Sequence, residues 1–334
     1  MDNINVYFFK YPIGYKWVPG DRHIARFVKR LLNIRSVTGA EKVFLNLCKG
    51  LDLLKVKYRK NPPFKSIKPN EPVVILGDEL YNSKHFLMGY DRPNPIIAGI
   101  GLMTHPAEWP DLPQQYPVAK YLQHCTWANN LFLPYYGKAI CEEWPAGVDT
   151  QKWSPDNRIA KKYDILLYNK IRWDKKERYR SLRAPILQRL NELGLSYVEV
   201  VYGNYQEKDY FKLVQQSRAM LFMCEHETQG FALCEALSAN VPVLAWDPGY
   251  CQDPARFQWN DPVIKTTTIP FFDDSCGMSF ADANAFLNTI DAFWKKVQRG
   301  DFSPREYVVK NLSLEVSAQK MLAIIEKVYA DFFH

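Results

Sequence analysis

Short runs of β-branched and aromatic residues alternate along this chain with amphipathic stretches of helical period, the pattern of parallel sheets flanked by helices. In the first half, Val6–Phe9, Val73–Leu76, Ile96–Ile100 and Tyr121–Cys125 predict strands. Residues 21 to 34 predict a helix with Asp21 as N-cap. Ile24, Phe27, Val28, Leu31 and Leu32 form one face of it, with Arg22, Arg26, Lys29 and Arg30 elsewhere around it. A second helix starts near Gly39 and buries Val43, Phe44, Leu47, Leu51 and Leu54. The pattern then restarts, with strands at Asp164–Tyr168, Tyr197–Tyr202, Ala219–Met223 and Val243–Ala245. Helices follow at about 178–193, 207–217, 231–239, 282–297 and 313–332. Between the halves, Trp144 to Pro155 is rich in turn formers and has no period, which marks a boundary. The expectation is an α/β chain of two Rossmann-like, doubly wound domains facing across a cleft. The first covers residues 1–150 and the second 151–312, with the helix at 313–334 packing back on the first. In such sheets ligands sit beyond the carboxyl ends of the strands.

One stretch carries chemistry. Ala219 to Asp247 reads as strand, loop, helix, turn, strand, with the loop 225–230 at a strand's carboxyl end. Gly230 lets the backbone approach a ligand closely. Phe231, Ala232 and Leu233 open a helix whose unpaired N–H groups and positive dipole end suit a diphosphate. Glu227 lies in the loop and Glu235 about a turn into the helix, so they do not form an acid/base couple on one face. They are placed to bracket a ligand, Glu227 accepting hydrogen bonds from a sugar and Glu235 from a ribose. The plain alternative is that each acid simply complements a helix start, which is favourable by a few tenths to ~1 kcal/mol. Asn240 ends the helix as a residue tolerant of the left-handed conformation.

Glu227-Thr-Gln-Gly-Phe-Ala-Leu-Cys-Glu235, followed by Asn-Val-Pro-Val-Leu-Ala, resembles the E-x7-E motif of the retaining family-four (group 1) glycosyltransferases of the GT-B fold. Four further landmarks come in that family's order. Thr38-Gly39-Ala40-Glu41 is similar to its glycine loop and first helix, and Gly147-Val148-Asp149 with Trp153 and Pro155 to the close of its N-terminal domain. Tyr168-Asn169-Lys170 through Lys175 resembles the strand end that supplies an Arg and a Lys to the donor diphosphate. Val201-Tyr202-Gly203 resembles the strand and turn near the donor base. The resemblance implies an N-terminal acceptor domain, a C-terminal donor domain and transfer from a nucleotide-diphosphate sugar with retention of configuration. The sugar nucleotide would be a co-substrate, with no separate cofactor. It assigns donor binding to Gly39, Lys170, Arg172, Lys175, Gly203, Glu227, Gly230, Phe231, Ala232, Leu233 and Glu235. The expected catalytic set is Glu227, His105, Lys170 and Lys175. His105, near a strand end in the first half, either faces the donor sugar or is satisfied within the turn before Pro106.

The chain departs from the family pattern in three places. The glycine loop keeps one glycine, with Thr38 where a second usually stands. It follows the first strand by about thirty residues, so 11–37 look like an insertion. Asn169-Lys170 replaces the usual Gly-Arg, which keeps the charge and loses the two-pronged fork; Arg172 is the candidate substitute. These departures motivate an alternative, a catalytically silent GT-B scaffold that binds a sugar nucleotide. A dinucleotide-dependent oxidoreductase is disfavoured because no G-x-G-x-x-G follows any predicted strand.

Charge adds one more expectation. Of a net +7, residues 1–70 hold +11 and the remainder −4. That segment suggests an anionic partner or a solvated face, and the helix at 21–34 offers peripheral contact with an anionic membrane. The acceptor is expected to be a glycan or lipid-linked glycan; no recognition motif points to nucleic acid. The seven cysteines form no CxxC pair and no D-x-D triplet occurs, so free thiols, a cytoplasmic setting and metal-independent chemistry are expected. No apolar run approaches the ~18 residues that span a bilayer.

Overall fold

The computed structural model describes residues 3–9, 38–78, 85–259 and 263–332; the helix expected at 21–34 lies outside them. The first sheet has six strands: β1 (Ile4–Phe9), β2 (Tyr58–Lys60), β3 (Val73–Asp78), β4 (Ile96–Gly101), β5 (Val118–Gln123) and β6 (Cys141–Glu143). They pair in parallel in the order β2-β1-β3-β4-β5-β6. The second sheet has five: β7 (Tyr163–Lys170), β8 (Tyr197–Val201), β9 (Ser217–Cys224), β10 (Val243–Trp246) and β11 (Gly277–Phe280). These are also parallel, in the order β11-β10-β9-β7-β8. In both sheets the second strand lies on one side of the first and the third on the other. The switch points where the winding reverses are therefore β1/β3 and β7/β9, the places where doubly wound sheets bind ligands.

The continuous apolar runs follow from helices covering both faces of each sheet. Alternate residues enter opposite cores: Val74 and Leu76 pack with Phe44, Leu47 and Ile325, whereas Val73 and Ile75 pack with Phe64, Trp109 and Phe132. In β9, Met220, Phe222 and Cys224 face one core and Ala219, Leu221 and Met223 the other. The helix Gly39–Leu53 buries Val43, Phe44, Leu47 and Leu51. Against it packs the helix Leu314–Phe332. Gly50 makes that approach possible, because a Cβ there would lie 2.5 Å from the Leu314 carbonyl oxygen and 2.8 Å from Ala318 Cβ. Near its far end the Tyr329 hydroxyl accepts from the Val73 N–H at 3.0 Å and donates to the Pro95 carbonyl at 2.8 Å.

Several elements differ from the sequence expectation. The helix expected at 178–193 is Lys175–Arg178, a π-turn at Tyr179–Arg183, then Ala184–Glu192. Pro185 has no N–H to give the carbonyl four residues back, and the backbone widens there. The strand expected at Tyr121–Cys125 is shifted to Val118–Gln123, and Cys125 instead caps a helix, Thr126–Tyr136, that the sequence did not announce because Pro134 lies inside it. All seven cysteines are buried free thiols. No helix among the described residues is long and apolar enough to cross a membrane.

Candidate functional site

The β7/β9 switch point brings together the residues that motif reading singled out. Lys170 ends β7 directly opposite Cys224 at the end of β9. From there the chain enters the 225–230 loop, which is fixed by several cross-links. Glu225 Oε1 accepts the backbone N–H groups of Arg172 at 2.8 Å and Trp173 at 3.1 Å, tying the two strand ends together. Burial pushes the Glu225 carboxyl up, against the pull of those two donors. The Glu227 carboxylate is ion-paired with Lys170 Nζ, and the same ammonium lies 4.7 Å from the Tyr202 ring centroid. Burial opposes the Lys170 charge, but Glu227 more than offsets it and raises the ammonium above the usual lysine range. The Glu227 N–H donates to the Thr267 carbonyl at 3.0 Å, and its carbonyl accepts from the Trp127 indole at 2.8 Å. Glu227 is thus held from both domains.

Gly230 has φ +64°, and that left-handed turn starts the helix Phe231–Ser238. No side chain caps the first turn, so the N–H groups of Phe231, Ala232 and Leu233 point out of the helix start with its positive dipole end. Asn240, at φ +60°, ends the segment as expected. Just before the helix, the Gln229 side chain accepts from the Ala146 N–H at 2.8 Å and donates to the Ala146 carbonyl at 3.2 Å, a two-point clasp on the first domain.

Glu235 is almost fully buried and ion-paired with Lys42, which comes from the helix Gly39–Leu53 of the first domain. Burial pushes the Glu235 carboxyl up to about 7, with Lys42 pulling the other way. Burial likewise opposes the Lys42 charge, but Glu235 and Glu207 reverse this and raise the ammonium. Lys42 also reaches Glu207 at 3.2 Å and lies 5.4 Å from the Phe231 ring centroid. Glu207 in turn pairs with Lys152, closing a charged chain across the two domains. Sequence reasoning missed Lys42. A signal was present: a lysine in the first turn of a helix opposes the dipole, so it calls for an acid from elsewhere.

The other sequence-selected residues are more dispersed. Gly39 opens its helix behind the Thr38 cap, with open space where a Cβ would stand. Gly203, at φ +86°, turns the chain beyond β8. Arg172 is exposed with its guanidinium 4.9 Å from the Trp173 ring, and Lys175 is exposed at the first position of its short helix. His226 stacks on Trp173 at 5.3 Å, and burial pushes it down to about 4.

His105 is fully buried. Its Nδ1 accepts from the Ala107 N–H at 3.1 Å and Glu108 accepts its backbone N–H at 2.9 Å, the two halves of a capping box on Pro106–Glu108. Trp259 of the second domain lies flat on the ring, centroids 4.4 Å apart and 4° from parallel. Beside it Arg256 donates to the Thr104 carbonyl at 2.7 Å.

An open space borders the Glu227 loop through Trp127 and Thr267. It is a cleft of about 860 Å³ between the helix Thr126–Tyr136 of the first domain and residues 263–270 of the second. None of Lys170, Glu227 and Glu235 lines it. The charged residues form a closed, ion-paired seam in this structure, whereas the cleft is open. Among the described residues no group of three or more His, Cys, Asp and Glu side chains gathers as a metal site.

No family model matches the chain, and no curated protein matches it in sequence. Solved structures do match it in fold. It is similar to AviGT4, a glycosyltransferase involved in avilamycin A biosynthesis, with 12% identity over 98% of each chain and a TM-score of 0.56. It is also similar to sucrose-phosphate synthase from Thermosynechococcus elongatus, with 12% identity over 98% of this chain and 100% of that one and a TM-score of 0.52. The GtfA/B complex matches at 13% identity over 87% of this chain and 61% of that one, with a TM-score of 0.51. The chain therefore has the two-domain, Rossmann-like GT-B fold.

Proposed function

We propose that this chain is a glycosyltransferase that moves a sugar from a nucleotide-diphosphate sugar to an acceptor hydroxyl. The observation that carries the reading is the placement of Glu227 and Glu235 at the β7/β9 switch point, each engaged by a lysine, with an uncapped helix start between them. Glu227 would accept hydrogen bonds from donor-sugar hydroxyls and Glu235 from the ribose, each exchanging its lysine for the ligand. Lys170, Lys175, Arg172 and the N–H groups of Phe231 to Leu233 would meet the diphosphate charge, so the chemistry needs no metal in this reading. Gly39 would let the diphosphate approach the first domain, and Gly203 would turn the chain beneath the base. In the reaction the anomeric carbon–oxygen bond to the diphosphate breaks and its electron pair leaves with the nucleoside diphosphate. The acceptor oxygen bonds to that carbon and releases its proton. Retention of configuration rests on the motif resemblance, a cytoplasmic setting on the free thiols, and a glycan or lipid-linked acceptor with peripheral contact to an anionic membrane on the basic charge of residues 1–70.

One observation favours a second reading, a silent GT-B scaffold that binds a sugar nucleotide without transfer: Trp259 covers the histidine that would face the donor sugar. Incubation with UDP-, GDP- and ADP-sugars and a panel of acceptors, with chromatography of the products, separates the two. Release of nucleoside diphosphate together with a glycosylated acceptor supports the transferase. Binding without release supports the scaffold, and no binding at millimolar donor contradicts both.

A further inference from the structure

The 860 Å³ cleft is large enough for a drug-sized ligand and is not used by the charged seam. Its walls are mostly apolar, built from Trp127, Leu131, Tyr135, Val263, Ile264 and Pro270. Polar side chains are interspersed among them, Thr126 and Asn130 on one wall and Lys265, Thr266 and Thr267 on the other. Among the described residues that line it, Lys265 is the charged side chain and none is a carboxylate. Walls of this kind suit an occupant with an apolar body and a few polar groups. Thr266, 7% exposed, is one of the lining residues, and its hydroxyl is buried with no hydrogen-bond partner. A buried orphan hydroxyl of this kind points to a missing partner.

The cleft also shares a wall with the Glu227 loop. Trp127 donates to the Glu227 carbonyl at 2.8 Å, and the Thr267 carbonyl accepts from the Glu227 N–H at 3.0 Å. An occupant with an apolar body would therefore lie along the helix Thr126–Tyr136, and a polar head beyond Thr266 would reach the loop proposed to hold the donor sugar.

We propose that the cleft seats the apolar aglycone of the acceptor, with the hydroxyl-bearing end directed toward Glu227. This rests on the transferase reading and narrows it: the acceptor is an amphiphile, and its non-sugar part contributes much of its affinity. Two sources share that chemistry, an aliphatic lipid chain and an aromatic aglycone.

The test is equilibrium titration of the whole protein, without donor, by calorimetry. The probes are methyl, n-octyl and 4-nitrophenyl β-D-glucopyranoside, the octyl compound kept below its critical micelle concentration. The octyl or nitrophenyl glucoside should bind about 10²-fold more tightly than the methyl one, as expected for burying several methylenes or a ring. Octyl preference identifies an aliphatic chain and nitrophenyl preference an aromatic aglycone; equal affinity for all three overturns the proposal. Val263→Asp, at a position 78% exposed, and Tyr135→Ala, 37% exposed, change the rim without disturbing the core. Each should weaken the preferred glucoside roughly tenfold and leave sugar-nucleotide binding unchanged. Unchanged glucoside affinity in both variants would place its binding elsewhere and also overturn the proposal. Failure of the wild type to bind any sugar nucleotide counts against the transferase reading alone, since the glucoside titration does not depend on it.

Discussion

The Glu227 loop and the His105 turn start from similar positions: each follows a strand end in its own domain and each meets an aromatic side chain of the other domain. Their polar groups have different fates. At Glu227 the backbone is satisfied by Thr267 and Trp127, which leaves the carboxylate to an exchangeable ammonium. At His105 the ring nitrogen caps its own turn and the ring face is taken up by Trp259. A polar side chain at a strand end is left available to a ligand when the backbone around it is satisfied by something else. When the side chain itself supplies that satisfaction, as the His105 ring nitrogen does, its hydrogen-bonding capacity is already committed.

The most severe way to break this comparison is Lys170→Met. It leaves the Glu227 carboxylate in a partly buried site without its cation, a change that costs about 3 kcal/mol or more. Urea unfolding should show that loss, and the double variant Lys170→Met/Glu227→Gln should recover part of it. If Lys170→Met is neutral, the ion pair is incidental and the Glu227 loop is no better organised for a ligand than the His105 turn.

A pH experiment sharpens the contrast with a third residue. His124 is buried beside the Trp144 carbonyl, and burial pushes it down to about 4. The unfolded chain takes up that proton near pH 6.5 and the folded chain only near 4. Its contribution is therefore intact above pH 6.5 and is lost as pH falls toward 4, on the order of 3 kcal/mol. Urea midpoints at pH 7 and pH 4 for wild type and His124→Asn measure it, with the variant gaining on the wild type at pH 4. An unchanged gap would mean that the ring is already charged in the folded protein.

The smallest expected effect belongs to His105→Ala. Loss of its cap should cost roughly 0.5–2 kcal/mol and leave sugar-nucleotide affinity unchanged. A fall in turnover of about 10²-fold or more at unchanged donor affinity would return His105 to the catalytic set and break the comparison.

Much of this was legible along the chain. Continuous apolar runs such as Val73–Leu76 announced buried parallel strands, and the spacing from Glu227 to Glu235 located the loop and helix that the fold places at a switch point. What was not legible is mostly long-range. Lys42 meets its acids 165 and 193 residues away, and Trp127 meets Glu227 across 100. The edge strands Tyr58–Lys60 and Cys141–Glu143 are three residues long and largely charged, so no apolar period marks them. The His105 turn was readable: Glu108 stands three residues on, the spacing of a capping box, and local satisfaction was the simpler expectation.

The central claim is that the glutamates of the β7/β9 switch point hold a sugar nucleotide. Calorimetric titration of a UDP-, GDP- and ADP-sugar panel into wild type, Glu235→Ala and Glu227→Ala tests it most directly. The account predicts that the wild type binds at least one donor and that each variant weakens it at least tenfold, about 1.4 kcal/mol. Donor binding of equal strength in all three proteins, or none in the wild type, would contradict it.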